Sequence, residues 1–303
     1  MMWREAKAGG RQIMEFQRTI ILTEAGISDE MLVTEECVDS TNLLARKLAA
    51  DGAASFTAVI AGSQTAGRGR LGRTFYSPED SGLYLSLIVQ GCELPGSEEI
   101  ESVCSKLTVA AGACVAHSID ELFGTNTRIK WVNDIIIDGR KAGGILTEGR
   151  IEGGALAFAV IGIGVNISLP GGGFPDDISD IAGAVRNAPL QLNAGTLTGS
   201  GSGSAAASYP REMLAGRIIR KLSALLRALS ENEKSAAEAL YDDYLKRVNW
   251  MFGKELAVKN TAGQTLFTAM AEGLKRDFGL IVKTRSGDTV VLSTGEVSVR
   301  LTE

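Results

Sequence analysis

One histidine, His117, serves the whole chain of 303 residues. A multi-histidine metal centre is thereby excluded, and a histidine-dependent triad would hang on that single side chain. Cysteine is scarce too. Cys37, Cys92, Cys104 and Cys114 lack C-x-x-C spacing and are too few for a disulfide framework at this length, which fits a reducing cytoplasm. Positive charge is not in excess: 31 Lys and Arg stand against 36 Asp and Glu, a formal charge of −5. That balance gives no whole-chain field for nucleic acid or anionic membrane, so any anion site must be local. No run of about 18 apolar residues occurs, nor an apolar N-terminal segment before a small-residue cleavage site, so neither spanning nor secretion is expected. Carboxylates, Lys, Arg and backbone groups are left to carry the chemistry, in what reads as a cytoplasmic protein.

The length suits one large domain and a smaller one. The first 39 residues, patterned over 12–32, carry no basic cluster, so a DNA-reading helix-turn-helix is not expected. Asp39-Ser40-Thr41-Asn42 is a helix-start signal before Leu43, Leu44 and Leu48, with Gly52 closing the segment. Residues 56–61 and 83–89 read as buried strands, and 99–123 as a long amphipathic helix containing His117. Residues 128–137 and 140–148 read as two strands joined by the hairpin turn Asp138-Gly139, with another strand over 155–167. A low-complexity stretch, 193–208, is expected to be a mobile loop, and helices follow from Pro210 and over 237–248. From 250 onward five short β-rich runs suggest a small barrel that leans on the larger domain. The expected class is α+β: a mixed sheet with helices on one side, plus that barrel. The chain divides as 1–35, an extension; 36–249, the larger domain; and 250–303, the small one.

Glycine is plentiful, with 36 residues, and much of it sits beside charge. Gly67-Arg68-Gly69-Arg70-Leu71-Gly72-Arg73 interleaves three guanidiniums with three glycines. Glycine lets backbone N–H groups approach an anion, and arginine offers a planar fork of donors to carboxylate or phosphate. A closing anion clamp and a solvated basic turn both fit that pattern. Lys130-Trp131-Val132-Asn133-Asp134 and Lys141-Ala142-Gly143-Gly144-Ile145-Leu146 flank the hairpin turn. With Ile136 opposite Lys141 and Asp134 opposite Gly143, Asp134 and Lys141 share a sheet face, as a ligand site or as a structural ion pair. Gly162-Ile163-Gly164-Val165-Asn166 at a strand end leaves room for a ligand or for a neighbouring backbone. Ser40, Thr41 and Gln64 offer neutral donors and acceptors to an uncharged polar group. His117 and the cysteines read as surface or core residues.

Taken in order, these five motifs resemble the biotin protein ligases, the biotin–acetyl-CoA-carboxylase ligases. Gly273, Gly279-Leu280 and Gly295-Glu296-Val297-Ser298 also resemble that family's SH3-like C-terminal domain. The resemblance implies a two-step reaction, in which biotin and ATP give biotinyl-5′-AMP and a lysine of a biotin carboxyl carrier protein then takes the biotinyl group. It implies Mg²⁺ alongside ATP and a possible homodimer. By position, Ser40, Thr41 and Gln64 would hold the ureido ring, while Gly67 and Arg68 would meet the biotin carboxylate or acyl phosphate. Asn42, Gly69 and Gly144 complete the substrate-binding set. Arg70 and Lys141 would stabilise phosphate charge, with Asn133 and Asn166 near the nucleotide. Asp134 would orient the incoming lysine amine or accept its proton. The Arg loop is expected to order over the adenylate. A lipoate or octanoate ligase and a bifunctional ligase-repressor are the competing readings. Val132 stands where the family usually has Pro, and Phe75 where Trp is frequent; the Gly/Ser-rich stretch after Leu192 matches nothing.

Overall fold

Strand β3 (Gly82–Gln90) shows how the sequence divides the molecule. Leu83, Leu85, Leu87 and Val89 enter the main hydrophobic core, whereas Ile88 joins a small cluster on the opposite face, as a side-chain period of two requires. This computed structural model describes residues 16–91, 100–186, 209–231, 234–293 and 298–301. Cys92, the 193–208 stretch and residues 295–297 of the C-terminal motif lie outside the described residues.

Around β3 run β1 (Leu32–Val38), β2 (Ala58–Gln64), β4 (Arg128–Lys130), β5 (Asp134–Ile137), β6 (Arg140–Glu152) and β7 (Ala155–Asn166). Their order is β1-β2-β3-β7-β6-β5-β4; β1 and β2 are parallel and the other pairs antiparallel. The odd-numbered face of β3 and β7 packs on α1 (Arg18–Ala25), α3 (Ile100–Phe123), α4 (Pro210–Ser230) and α5 (Lys234–Val248). The mixed sheet with helices on one side is therefore present, with one addition. The short helix α2 (Thr41–Ala50) lies on the other face, where Ala45 and Ala49 meet Val59, Ile88, Phe158 and Val160. The apolar stretch Ser102–Phe123 of α3 is long enough to cross a membrane, but here it is a core helix, 72% buried.

Three local expectations change. Strand β1 begins at Leu32, so the boundary drawn at 35/36 falls inside it, and α1 packs along α4 as part of the helical layer. Residues 128–137 do not form one strand. The chain reverses at Trp131-Val132-Asn133, and β4 and β5 pair with each other, Lys130 opposite Asp134. The Asp138-Gly139 turn forms as expected, both residues having positive φ (49° and 76°), which the two-residue hairpin requires. A register shift beyond Ile136 then sets Asp134 opposite Gly144 rather than Gly143, while Ile136 does face Lys141.

The C-terminal residues form a five-stranded antiparallel sheet from β8 (Glu255–Lys259), β9 (Thr265–Leu274), β10 (Leu280–Thr284), β11 (Thr289–Leu292) and β12 (Ser298–Leu301), in the order β11-β10-β9-β8-β12. Leu256, Val258, Ala271, Leu280 and Val282 belong to the same continuous core as the larger sheet. The small sheet does lean on its neighbour. His117 lies on the surface of α3, 2.9 Å from Glu121, and burial pushes the Cys114 thiol up to about 12.

Candidate active site

Two rows of the even-numbered sheet face lack side chains at their centre. Gly164 lies between Gly144 and Tyr84, and Gly162 between Leu146 and Ser86. A Cβ at Gly162 would collide with the Asn42 amide, and one at Gly164 would come within 2.5 Å of the Phe75 ring. The two glycines therefore admit neighbouring side chains, not a neighbouring backbone. Gly67 is likewise hemmed in by the Phe75 carbonyl and Ser77, whereas Gly144 leaves ordinary van der Waals space for the Lys141 amine, at 3.5 Å from its would-be Cβ.

A chain of hydrogen bonds crosses this furrow. Ser77 Oγ donates to the Phe75 carbonyl (2.9 Å) and accepts from Gln64 Nε2 (2.8 Å). Gln64 Oε1 accepts from the Thr41 amide (2.9 Å) and hydroxyl (3.2 Å). Ser86 Oγ donates toward Thr41 Oγ1 (2.8 Å) and Asn42 Oδ1 (2.6 Å), and Asn42 Nδ2 donates to Glu148 (2.8 Å). Ser40 is buried at the N-cap position of α2, yet its side chain makes no cap bond to the helix. Ser40, Thr41, Asn42 and Gln64 thus converge as the sequence suggested. Ser77, Ser86 and Glu148 were missed. Ser86 had a signal, a small polar residue inside an apolar run; Glu148 had another, the even spacing that puts it on one face with Gly144 and Leu146.

Charge gathers at the edge of the furrow. The Arg loop is a tight antiparallel turn: Arg68 bridges Thr74, the Gly69 amide donates to the Arg73 carbonyl (2.7 Å), and the Phe75 amide to that of Gly67 (2.9 Å). Arg68 reaches Glu148 (3.1 Å), which Arg46 also approaches (3.6 Å). Arg70 donates to Asn133 Oδ1 (3.0 Å), and Asn133 Nδ2 donates to the Ile145 carbonyl (3.0 Å). Burial lowers the Arg70 pKa, and Asp134 opposes that shift.

Asp134 lies between two ammonium groups, Lys141 at 2.6 Å and Lys130 at 3.3 Å, with its side chain 17% exposed. Burial pushes its pKa up, but the two lysines outweigh burial and hold it at about 2. Asp134 and Lys141 do share a face. Among the described residues, Arg46, Arg68, Arg70, Lys130 and Lys141 stand against Asp134 and Glu148, a local surplus of three cations in a chain of net charge −5. Asn166, also assigned to the nucleotide, is buried and donates to the Gly183 carbonyl (2.9 Å), which pins the segment after β7. A separate cleft of about 400 Å³ opens at the hairpin turn, lined by Ile137, Arg140, Leu169, Phe174 and Ala182 among others.

A row of neutral polar side chains thus lies beside a cluster of cations on one sheet face. Residues 35–166 match the biotin/lipoate A/B protein ligase family. The biotin–acetyl-CoA-carboxylase ligase of Mycobacterium tuberculosis is 31% identical over 268 residues, 85% of each chain. The chain belongs to this family. The bifunctional ligase/repressor BirA of Bacillus subtilis is 37% identical over 162 residues, 54% of this chain and 48% of that one, so the match spans about half of that relative's length. In fold, the chain is similar to a biotin protein ligase from Aquifex aeolicus solved with biotin and ATP, at TM-score 0.65 and 23% identity, covering 89% of this chain and 99% of that one.

Proposed function

We propose that the chain is an ATP-dependent biotin protein ligase that activates the biotin carboxylate as biotinyl-5′-AMP and delivers the acyl group to a lysine of a biotin carboxyl carrier protein. The observation that carries this reading is the join, on one sheet face, between the Ser40–Thr41–Gln64 pocket and the Arg68, Arg70 and Lys141 cations. The names of the Mycobacterium and Aquifex relatives support it.

In the first step a carboxylate oxygen bonds to the α-phosphorus of ATP and pyrophosphate leaves. Two anions must approach, so fixed cations in a partly buried site lower the barrier. Arg68 exchanges Glu148 for the biotin carboxylate, while Arg70 and Lys141 meet the phosphate. Asn133 holds Arg70 in place, and Asn166 orders the segment beside the nucleotide. Among the described residues no cluster of three or more His, Cys, Asp or Glu is placed to hold a metal. Mg²⁺ enters with the phosphates, as the substrate Mg·ATP.

In the second step the lysine nitrogen bonds to the acyl carbon, the acyl–phosphate bond breaks, AMP leaves and the amine gives up a proton. A carboxylate whose pKa is about 2 is a weak base, so Asp134 serves by orienting the amine and aligning Lys141. The C-terminal sheet is read as the family's SH3-like barrel.

The test is ATP–pyrophosphate exchange with biotin, lipoate or octanoate as the acid. Exchange that depends on biotin, uncompeted by the other two acids, is expected. Exchange driven by lipoate or octanoate instead would replace biotin in this reading.

A further inference from the structure

The turn carrying Asn133 and Asp134 is held from outside the catalytic sheet. Residue 132 is valine, so no pyrrolidine ring fixes its φ, and residues 131–133 include no glycine. Contacts must set the turn's geometry. Trp131 donates its indole N–H to the Phe278 carbonyl (2.9 Å) and its backbone N–H to the Met251 sulfur (3.2 Å). Tyr244, fully buried on α5, donates its hydroxyl to the Val132 carbonyl (3.0 Å). The same ring packs edge-on against Phe278, with centroids 5.7 Å apart and planes at 84°. Strand β4 is gripped alongside, since Trp250 donates to the Ile129 carbonyl and Arg247 to that of Thr127, both at 2.9 Å.

We propose that Tyr244 is a positioning residue of the active site: braced by Phe278 in the β9–β10 turn of the C-terminal sheet, its hydroxyl fixes the Val132 carbonyl and thereby aims Asn133 at Arg70 and Asp134 at Lys141. The inference rests on the adenylate-forming reading above. Val132 and Asn133 share one peptide plane, so holding that carbonyl fixes the plane from which the Asn133 side chain departs. Asn133 meets Arg70 at 3.0 Å, and one residue on Asp134 meets Lys141 at 2.6 Å. Val132 itself is 1% exposed, so without the hydroxyl its carbonyl is left to find another donor, and the turn shifts to supply one. Tyr244 acts through Asn133 and Asp134, not on the substrate. In this arrangement the C-terminal sheet is part of what keeps the catalytic cations in register.

Tyr241 provides the control. It lies on the same helix, donates to the Leu274 carbonyl (2.9 Å) and packs on Phe278 at 6.0 Å, so its hydroxyl serves the C-terminal sheet instead of the turn. The full chain is compared as wild type, Tyr244→Phe and Tyr241→Phe, by steady-state biotin-dependent pyrophosphate exchange and by amide hydrogen exchange without ligand. Tyr244→Phe is expected to lower kcat about tenfold, with KM for biotin within about twofold, and to speed amide exchange at 131–134. Tyr241→Phe is expected to leave all three near wild type. Unchanged kcat in Tyr244→Phe, equal losses in both variants, or unchanged amide exchange at the turn would overturn the proposal. A wild type without pyrophosphate exchange would sink the functional reading alone. The amide exchange would then still decide the Tyr244 link, faster at 131–134 supporting it and unchanged overturning it.

Discussion

Between the ammonium groups of Lys130 and Lys141, the Asp134 carboxylate stays ionised down to about pH 2, against an ordinary 3.8. A pKa depressed by folding stabilises the native state above the ordinary value, and that contribution is lost as pH falls through the folded one. The shift corresponds to about 2 kcal/mol. Asp134→Asn is therefore expected to lower the urea-unfolding free energy by about that much at pH 7, with the gap to wild type closing between about pH 4 and pH 2. A gap independent of pH would show that the variant acts through packing instead of charge. Lys141 and Asp134 were legible in the sequence because a two-residue turn fixes which side chains share a face. Spacing alone put Glu148 on the same face, but its role was not legible, because its partners Asn42, Arg46 and Arg68 come from two distant segments that only the folded sheet assembles.

At the scale of elements, the Arg loop is held by a few backbone bonds within itself and by side-chain contacts from Arg68 and Arg70. The Arg68–Glu148 contact is the one a carboxylate would replace, while Arg70, kept in place by Asn133, meets the phosphate. Limited proteolysis should cut 68–73 readily in the free protein and much more slowly with biotinyl-AMP bound; equal rates would contradict a clamp that orders over its ligand. The hairpin was readable because Asp138-Gly139 is a turn by local chemistry, both residues taking positive φ. The reversal at Trp131-Val132-Asn133 was not, since no glycine or proline marks it and Tyr244, Phe278 and Met251 supply what holds it. Strand β1 escaped notice for another reason. It is an edge strand whose Glu35, Glu36 and Cys37 are exposed, so it shows no buried apolar run.

For the whole molecule, one continuous core joins the catalytic sheet, the helical layer and the C-terminal sheet. That unity follows from size, since a sheet of about fifty residues buries too little surface to stand well alone. It also lets a residue on α5 bear on catalysis through the turn it holds. The chain's overall negative charge and the positive surplus at the site are compatible because the fold brings Arg46, the Arg68–Arg70 loop, Lys130 and Lys141 to one place. The central claim is that this site activates a carboxylate and passes it to a lysine. Its most direct test is incubation of the protein with biotin, Mg·ATP and a biotin carboxyl carrier domain, followed by intact-mass and peptide mass spectrometry. One biotinyl adduct on a single carrier lysine, absent when ATP or biotin is left out, is the predicted result. An unmodified carrier under all conditions, or a lipoyl or octanoyl adduct formed in preference to biotin, would contradict the account.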